Sequence, residues 1–75
     1  AERLAAMERA VGAEATVFDV AQRTFALDAL DAGETRFAIA ETLAHLDYLV
    51  VEDRLHRRGD RVWHFEPAAA ARSAA

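Results

Sequence analysis

Residues 35–65 constrain this chain more than any other stretch. On a helical wheel, Ile39, Leu43, Leu46 and Val50 fall within an arc of about 60°, with Leu49 at its edge. No other segment has so regular an apolar period, and it predicts a long helix with one face against a core. After Arg54 the period shortens. Val62-Trp63-His64-Phe65 has the β-branched and aromatic content of a strand, and Gly59-Asp60 fits a two-residue hairpin turn with glycine first, at positive φ. That hairpin sets Trp63 opposite His56 and Val62 opposite Arg57. A one-residue slip sets Trp63 opposite Leu55, and the sequence admits both registers.

The residues upstream supply support for that unit. Leu4, Met7 and Val11 form one apolar stripe on a short helix over residues 2–11, which Gly12 stops. Thr16 and Asp19 have the spacing of a capping box, so a second helix starts at Val17 and runs to Phe25 or Leu27, with Val17, Val20, Ala21 and Thr24 on its packing face and Phe18 and Phe25 flanking. Residues 28–34 mix Asp and Gly without a period, which predicts a loop with Gly33 in a left-handed conformation and Thr35 as the cap of helix three. Pro67 ends the last strand, and the alanines after it have little to pack.

The order of three helices and then a hairpin defines a mainly α fold with a small β-hairpin: a winged helix, three helices plus a two-stranded wing. Residues 1–66 form that domain and residues 67–75 an Ala-rich flexible tail. At 75 residues the core is small and alanine inflates the 53% apolar content, so a partner surface is plausible from the outset. The chain has no cysteine, which excludes a disulfide framework and a thiolate zinc site and leaves the redox compartment open. No apolar run reaches the roughly 18 residues of a membrane span, and the N-terminus lacks the layout of a signal peptide. The expectation is a soluble, cytoplasmic piece with no membrane partner. Because it opens at Ala1 in a segment that already looks helical, it reads as a fragment of something longer or a processed product.

Catalysis needs a nucleophile beside a base, or convergent ligands. Ser73 lies in the alanine tail. His45, His56 and His64 show no metal-binding spacing, so neither catalytic nor metal-ligating residues are assigned. Glu41 and His45 are four apart on one helix face, close enough to pair, which contributes only about 0.3–0.5 kcal/mol when exposed.

Two binding readings remain. All nine basic residues are Arg, and four of them, Arg54, Arg57, Arg58 and Arg61, cluster on the hairpin against one acid, Asp60. They are candidate phosphate contacts for nucleic acid, even though the whole chain carries −4. The third helix disagrees. Its outward arc holds Phe37, Ala40, Glu41, Ala44, His45, Tyr48, Val51 and Glu52, where a groove-reading helix needs Arg, Lys, Asn, Gln or Ser. Within that arc Phe37, Ala40, Ala44, Tyr48 and Val51 form a second apolar stripe, a candidate protein-docking face.

The run AETLAHLDYLVVEDRL at residues 40–55, the FAIA at residues 37–40, the preceding TVFDVAQRTF at residues 16–25 and the hairpin closing on VWHF together resemble the C-terminal winged-helix domain appended to metallo-β-lactamase-fold hydrolases. The resemblance covers residues 3–66. One departure is Glu52-Asp53, where that family often has Glu-Gly before the wing. The resemblance implies a non-catalytic domain that packs on an N-terminal hydrolase domain absent from this chain, helps wall its active-site cleft and takes part in dimer contacts. The metal, zinc by expectation, and the catalytic water then belong to that absent domain. No cofactor is expected in this fragment, and no family metal ligand maps onto it. The partners implied are the chain's own hydrolase domain and a second protomer. The alternative reading is a fragment of a DNA-binding winged-helix regulator that contacts phosphates through the Arg-rich wing.

Overall fold

The structure, a computed structural model, describes residues 2–74. The elements run α1 (Glu2–Val11), β1 (Ala15–Thr16), α2 (Val17–Thr24), a single 3-10 turn (Leu27–Ala29), α3 (Ala32–Val51), β2 (Leu55–Arg58), β3 (His64–Pro67) and α4 (Ala68–Ala74). The fold is mainly helical with a small antiparallel sheet in the order β1-β3-β2.

Local chemistry explains the first boundaries. Gly12 takes φ +60° just past α1, a conformation in which an L side chain is disfavoured. Thr16 caps α2 as its spacing predicts: its hydroxyl accepts from the Asp19 amide at 3.1 Å, and the Asp19 carboxylate accepts from the Thr16 amide at 3.1 Å. That backbone N–H, together with the Thr16 hydroxyl, holds the Asp19 carboxyl below the usual carboxylate range.

The start of α3 differs from expectation. Its cap is Asp31 and not Thr35, with reciprocal bonds between Asp31 and Glu34 at 2.7 and 3.0 Å. The segment expected as a loop therefore contains the helix's first turn, and Gly33 sits inside it rather than in a left-handed position. Gly33 costs the helix about 1 kcal/mol in propensity relative to alanine, and the Asp31–Glu34 capping box outweighs it because it satisfies two free donors and places acids at the positive end of the dipole.

The core is built by Met7 and Val11 of α1, Ala15 of β1, Val20 of α2, Leu46 and Leu49 of α3, Leu55 of β2 and Phe65 of β3, all buried. On α3 the buried face is Ala38, Thr42, Leu46 and Leu49. The expected stripe of Ile39, Leu43, Leu46 and Val50 is thus rotated: Leu46 is central, Leu49 is inside rather than marginal, and Ile39, Leu43 and Val50 are only half-buried. Thr42 is wholly buried because its hydroxyl donates to the Ala38 carbonyl at 2.8 Å, which removes the cost of hiding a polar group.

The hairpin matches neither expected register. Leu55 pairs with Pro67, His56 with Glu66, Arg57 with Phe65 and Arg58 with His64, leaving residues 59–63 as the connecting loop. Gly59 does take positive φ, +103°, and a Cβ there would run into the Val62 carbonyl. Trp63 and Val62 lie in the loop and not in the strand. The reason is β1: Ala15 pairs with Phe65 and Thr16 with His64, which puts Phe65 over the core and fixes β3 from its other side. After Pro67, where a frayed tail is expected, Ala68–Ala74 form α4, tied down by the buried Ala68 and by an Ala68 amide bond to the Arg54 carbonyl at 3.0 Å.

Candidate functional site

Opposite the core face, α3 presents Phe37, Ala40, Ala44, Tyr48 and Val51 to solvent. Phe37 is 75% exposed, Tyr48 52% and Val51 81%. The five residues recur at helical spacing over four turns of one rigid element, so they form a continuous apolar strip rather than scattered contacts. On one flank α1 reaches its edge: Arg3 bonds Glu41 at 2.6 Å and lies over the Phe25 ring, and Arg3 and Leu4 line a shallow groove with Ala44, His45 and Tyr48. Glu41 and His45, close enough on the helix to pair, do not pair through their side chains. The Glu41 carboxylate takes Arg3, and His45 Nδ1 bonds the Glu41 carbonyl at 2.8 Å. Glu52 ends the strip, accepting from the Tyr48 hydroxyl at 3.4 Å.

The hairpin arginines are not a free cationic surface. Arg54 bonds Glu8 of α1 at 2.8 Å, a contact that raises the guanidinium's affinity for its proton above the ordinary value. Arg57 stands opposite Phe65, on the side of the sheet that faces α3, and there it meets Asp47 at 3.1 Å and stacks 4.1 Å from the Trp63 ring centroid. Arg58 points to the other side, between Glu14 and Glu66. His56 lies 3.8 Å from Glu66 and His64 3.7 Å from Glu14 on that same outer surface. Among the described residues Arg61 alone of these four arginines has no ion-pair partner. The three acids that engage Arg54, Arg57 and Arg58 from outside the hairpin, Glu8, Asp47 and Glu14, come from distant parts of the chain and could not be matched to them from spacing.

A second apolar surface was not anticipated. Val17 and Phe18 of α2, Ile39 and Leu43 of α3, and Asp60, Arg61, Val62 and Trp63 of the hairpin loop line a groove. Its only sequence signal is that Ile39 and Leu43 belong to the apolar arc of α3. The rotation of the core toward Ala38 and Thr42 leaves that edge of the arc half-uncovered.

The three histidines lie on α3, β2 and β3, and among the described residues no group of three His, Asp or Glu side chains is placed to hold a metal ion. Among the described residues no helix is long and apolar enough to cross a membrane. A family model described as the metallo-beta-lactamase-like C-terminal domain matches residues 4–68, nearly the whole chain. The chain belongs to that family. The match runs from the first turn of α1 to the first residue of α4, so the α3 strip, the hairpin and the groove all lie inside this C-terminal domain. No curated protein and no solved structure matches the chain.

Proposed function

We propose that this is a non-catalytic winged-helix domain that docks through the outer face of α3 onto a metallo-β-lactamase-fold hydrolase domain and helps wall its active-site cleft. The observation that carries the proposal is the exposed strip of Phe37, Ala40, Ala44, Tyr48 and Val51 on a rigid 20-residue helix. Large aromatic and aliphatic groups on a small domain are costly to leave in water, at about 25 cal/mol per Å² of apolar surface. Ala40 and Ala44 between Phe37 and Tyr48 leave room for a partner's side chains to interdigitate. Membership in the family of C-terminal domains supports a hydrolase domain as the partner. In this reading the metal and the hydrolytic chemistry belong to the partner domain, and this chain contributes shape at the cleft's edge.

Tyr48→Arg combined with Val51→Glu tests the face, because both positions are exposed and neither supports the core. The double variant keeps the wild-type circular dichroism spectrum and melting temperature and loses association with the hydrolase domain supplied in trans. Unchanged association removes this face from the interface.

A further inference from the structure

The fold holds an arginine between an aromatic ring and a carboxylate in two places. Arg3 lies 5.0 Å from the Phe25 ring centroid and bonds Glu41 at 2.6 Å. Arg57 lies 4.1 Å from the Trp63 ring centroid and bonds Asp47 at 3.1 Å. In both, the ring face attracts the flat guanidinium while the carboxylate takes its N–H groups. Tyr48 and Glu52 make a third pair of the same kind, one helical turn apart on the outer face of α3. Among the described residues no arginine lies over the Tyr48 ring and no cation bonds Glu52. Glu52 also differs from the other acids of this helix. Asp31 and Glu34 accept from backbone amides at its start, Glu41 has Arg3, and Asp47 has Arg57. Glu52 has only the Tyr48 hydroxyl, at 3.4 Å, long for an O–H···O bond. It stands at the C-cap, where the free carbonyls form the negative end of the dipole and an acid is disfavoured. Arg54, two residues on, is committed to Glu8 at 2.8 Å. The carboxylate adjoins Tyr48 and Val51, 52% and 81% exposed, on the face already argued to dock. We propose that an arginine of the docked hydrolase domain lies on the Tyr48 ring and pairs with Glu52, so that the partner's face is apolar with a guanidinium set against the C-terminal end of the strip. This rests on the docking reading above and adds to it the chemistry of the partner.

Affinity for the hydrolase domain supplied in trans, measured at several salt concentrations, tests this. Glu52→Gln keeps the shape and removes the charge, and Tyr48→Leu keeps an apolar side chain and removes the ring face. Each weakens association by about tenfold, and the double variant weakens it by clearly less than the product of the two, because both remove the same contact. Tyr48→Phe, which keeps the ring, associates as the wild type does. Wild-type association weakens with added salt, and Glu52→Gln flattens that dependence. Glu52→Gln also relieves an acid at the negative end of the dipole, so its urea midpoint is no lower than the wild type's and the loss is not one of folding. If Glu52→Gln and Tyr48→Leu bind as the wild type does while Tyr48→Arg/Val51→Glu fails to bind, the docking face stands and the arginine falls. Losses that simply multiply in the double variant, or a salt dependence that Glu52→Gln leaves unchanged, overturn the arginine as well. Unchanged association of Tyr48→Arg/Val51→Glu instead overturns the docking reading beneath it.

Discussion

Asp53 holds φ at 59°, in the left-handed region that few non-glycine residues adopt. It does so because α3 ends in a complete Schellman arrangement: the Arg54 amide bonds the Leu49 carbonyl at 2.9 Å and the Asp53 amide bonds the Val50 carbonyl at 3.0 Å. Two carbonyls that would otherwise be free at the end of the helix are satisfied, and the chain turns sharply enough for Leu55 to enter the core. The Asp53 carboxylate gains an ion pair with Arg72 at 3.1 Å, but both groups are well exposed and the pair offsets little. Asp53→Gly therefore raises stability by about 0.5–1 kcal/mol, read as a higher urea midpoint at unchanged slope. A lower midpoint would mean that the Arg72 contact outweighs the backbone term.

At the scale of elements, α3 carries the argument because it has three distinct faces: a buried one, an outward apolar strip and a half-covered edge that lines the groove. The buried face predicts unequal costs for equal truncations. Leu46→Ala, which opens a cavity in the centre of the core, costs about 3–5 kcal/mol, whereas Leu43→Ala, half-buried at the groove, costs about 1–2 kcal/mol; chemical denaturation of the two variants measures the difference. The outward strip was legible in the sequence, since five residues at helical spacing stay on one side of a helix whatever packs behind them. The caps at Gly12 and Thr16 were legible for a similar reason, as their chemistry is complete within four residues. The rotation of the core face was not, because it depends on Ala38 and Thr42, a small residue and a polar one that an apolar count passes over. The start of α3 was hidden by Gly33, which reads as a breaker until the Asp31–Glu34 box around it is weighed. The hairpin register was beyond local reading, because Ala15 and Thr16, far upstream, decide where Phe65 must lie.

For the whole molecule, charge distribution separates two kinds of partner. Net charge is −4, and the arginines that would face phosphates at the wing are shared with Glu8, Glu14, Asp47 and Glu66. Each exposed pair is worth only about 0–1 kcal/mol, so the pairs can open. Opening them leaves the carboxylates in place, however, and these repel a polyanion. Of the four hairpin arginines, Arg61 alone is left without a carboxylate partner among the described residues. Binding to random duplex DNA is accordingly weak, with a slope of log affinity against log salt of about −1 instead of the roughly −4 that four free arginines would give. A salt-titrated anisotropy measurement distinguishes these, and a slope near −4 would restore the wing as a nucleic-acid surface. The central place of β3 between β1 and β2 has a further consequence, for the order in which the molecule assembles. Phe65 completes the core by pairing with a strand near the other end of the chain, so the helices made first have no closed core until the hairpin has been made. The hairpin is thus the clasp of the fold, and a chain cut short before Phe65 leaves three amphipathic helices with nothing to close them.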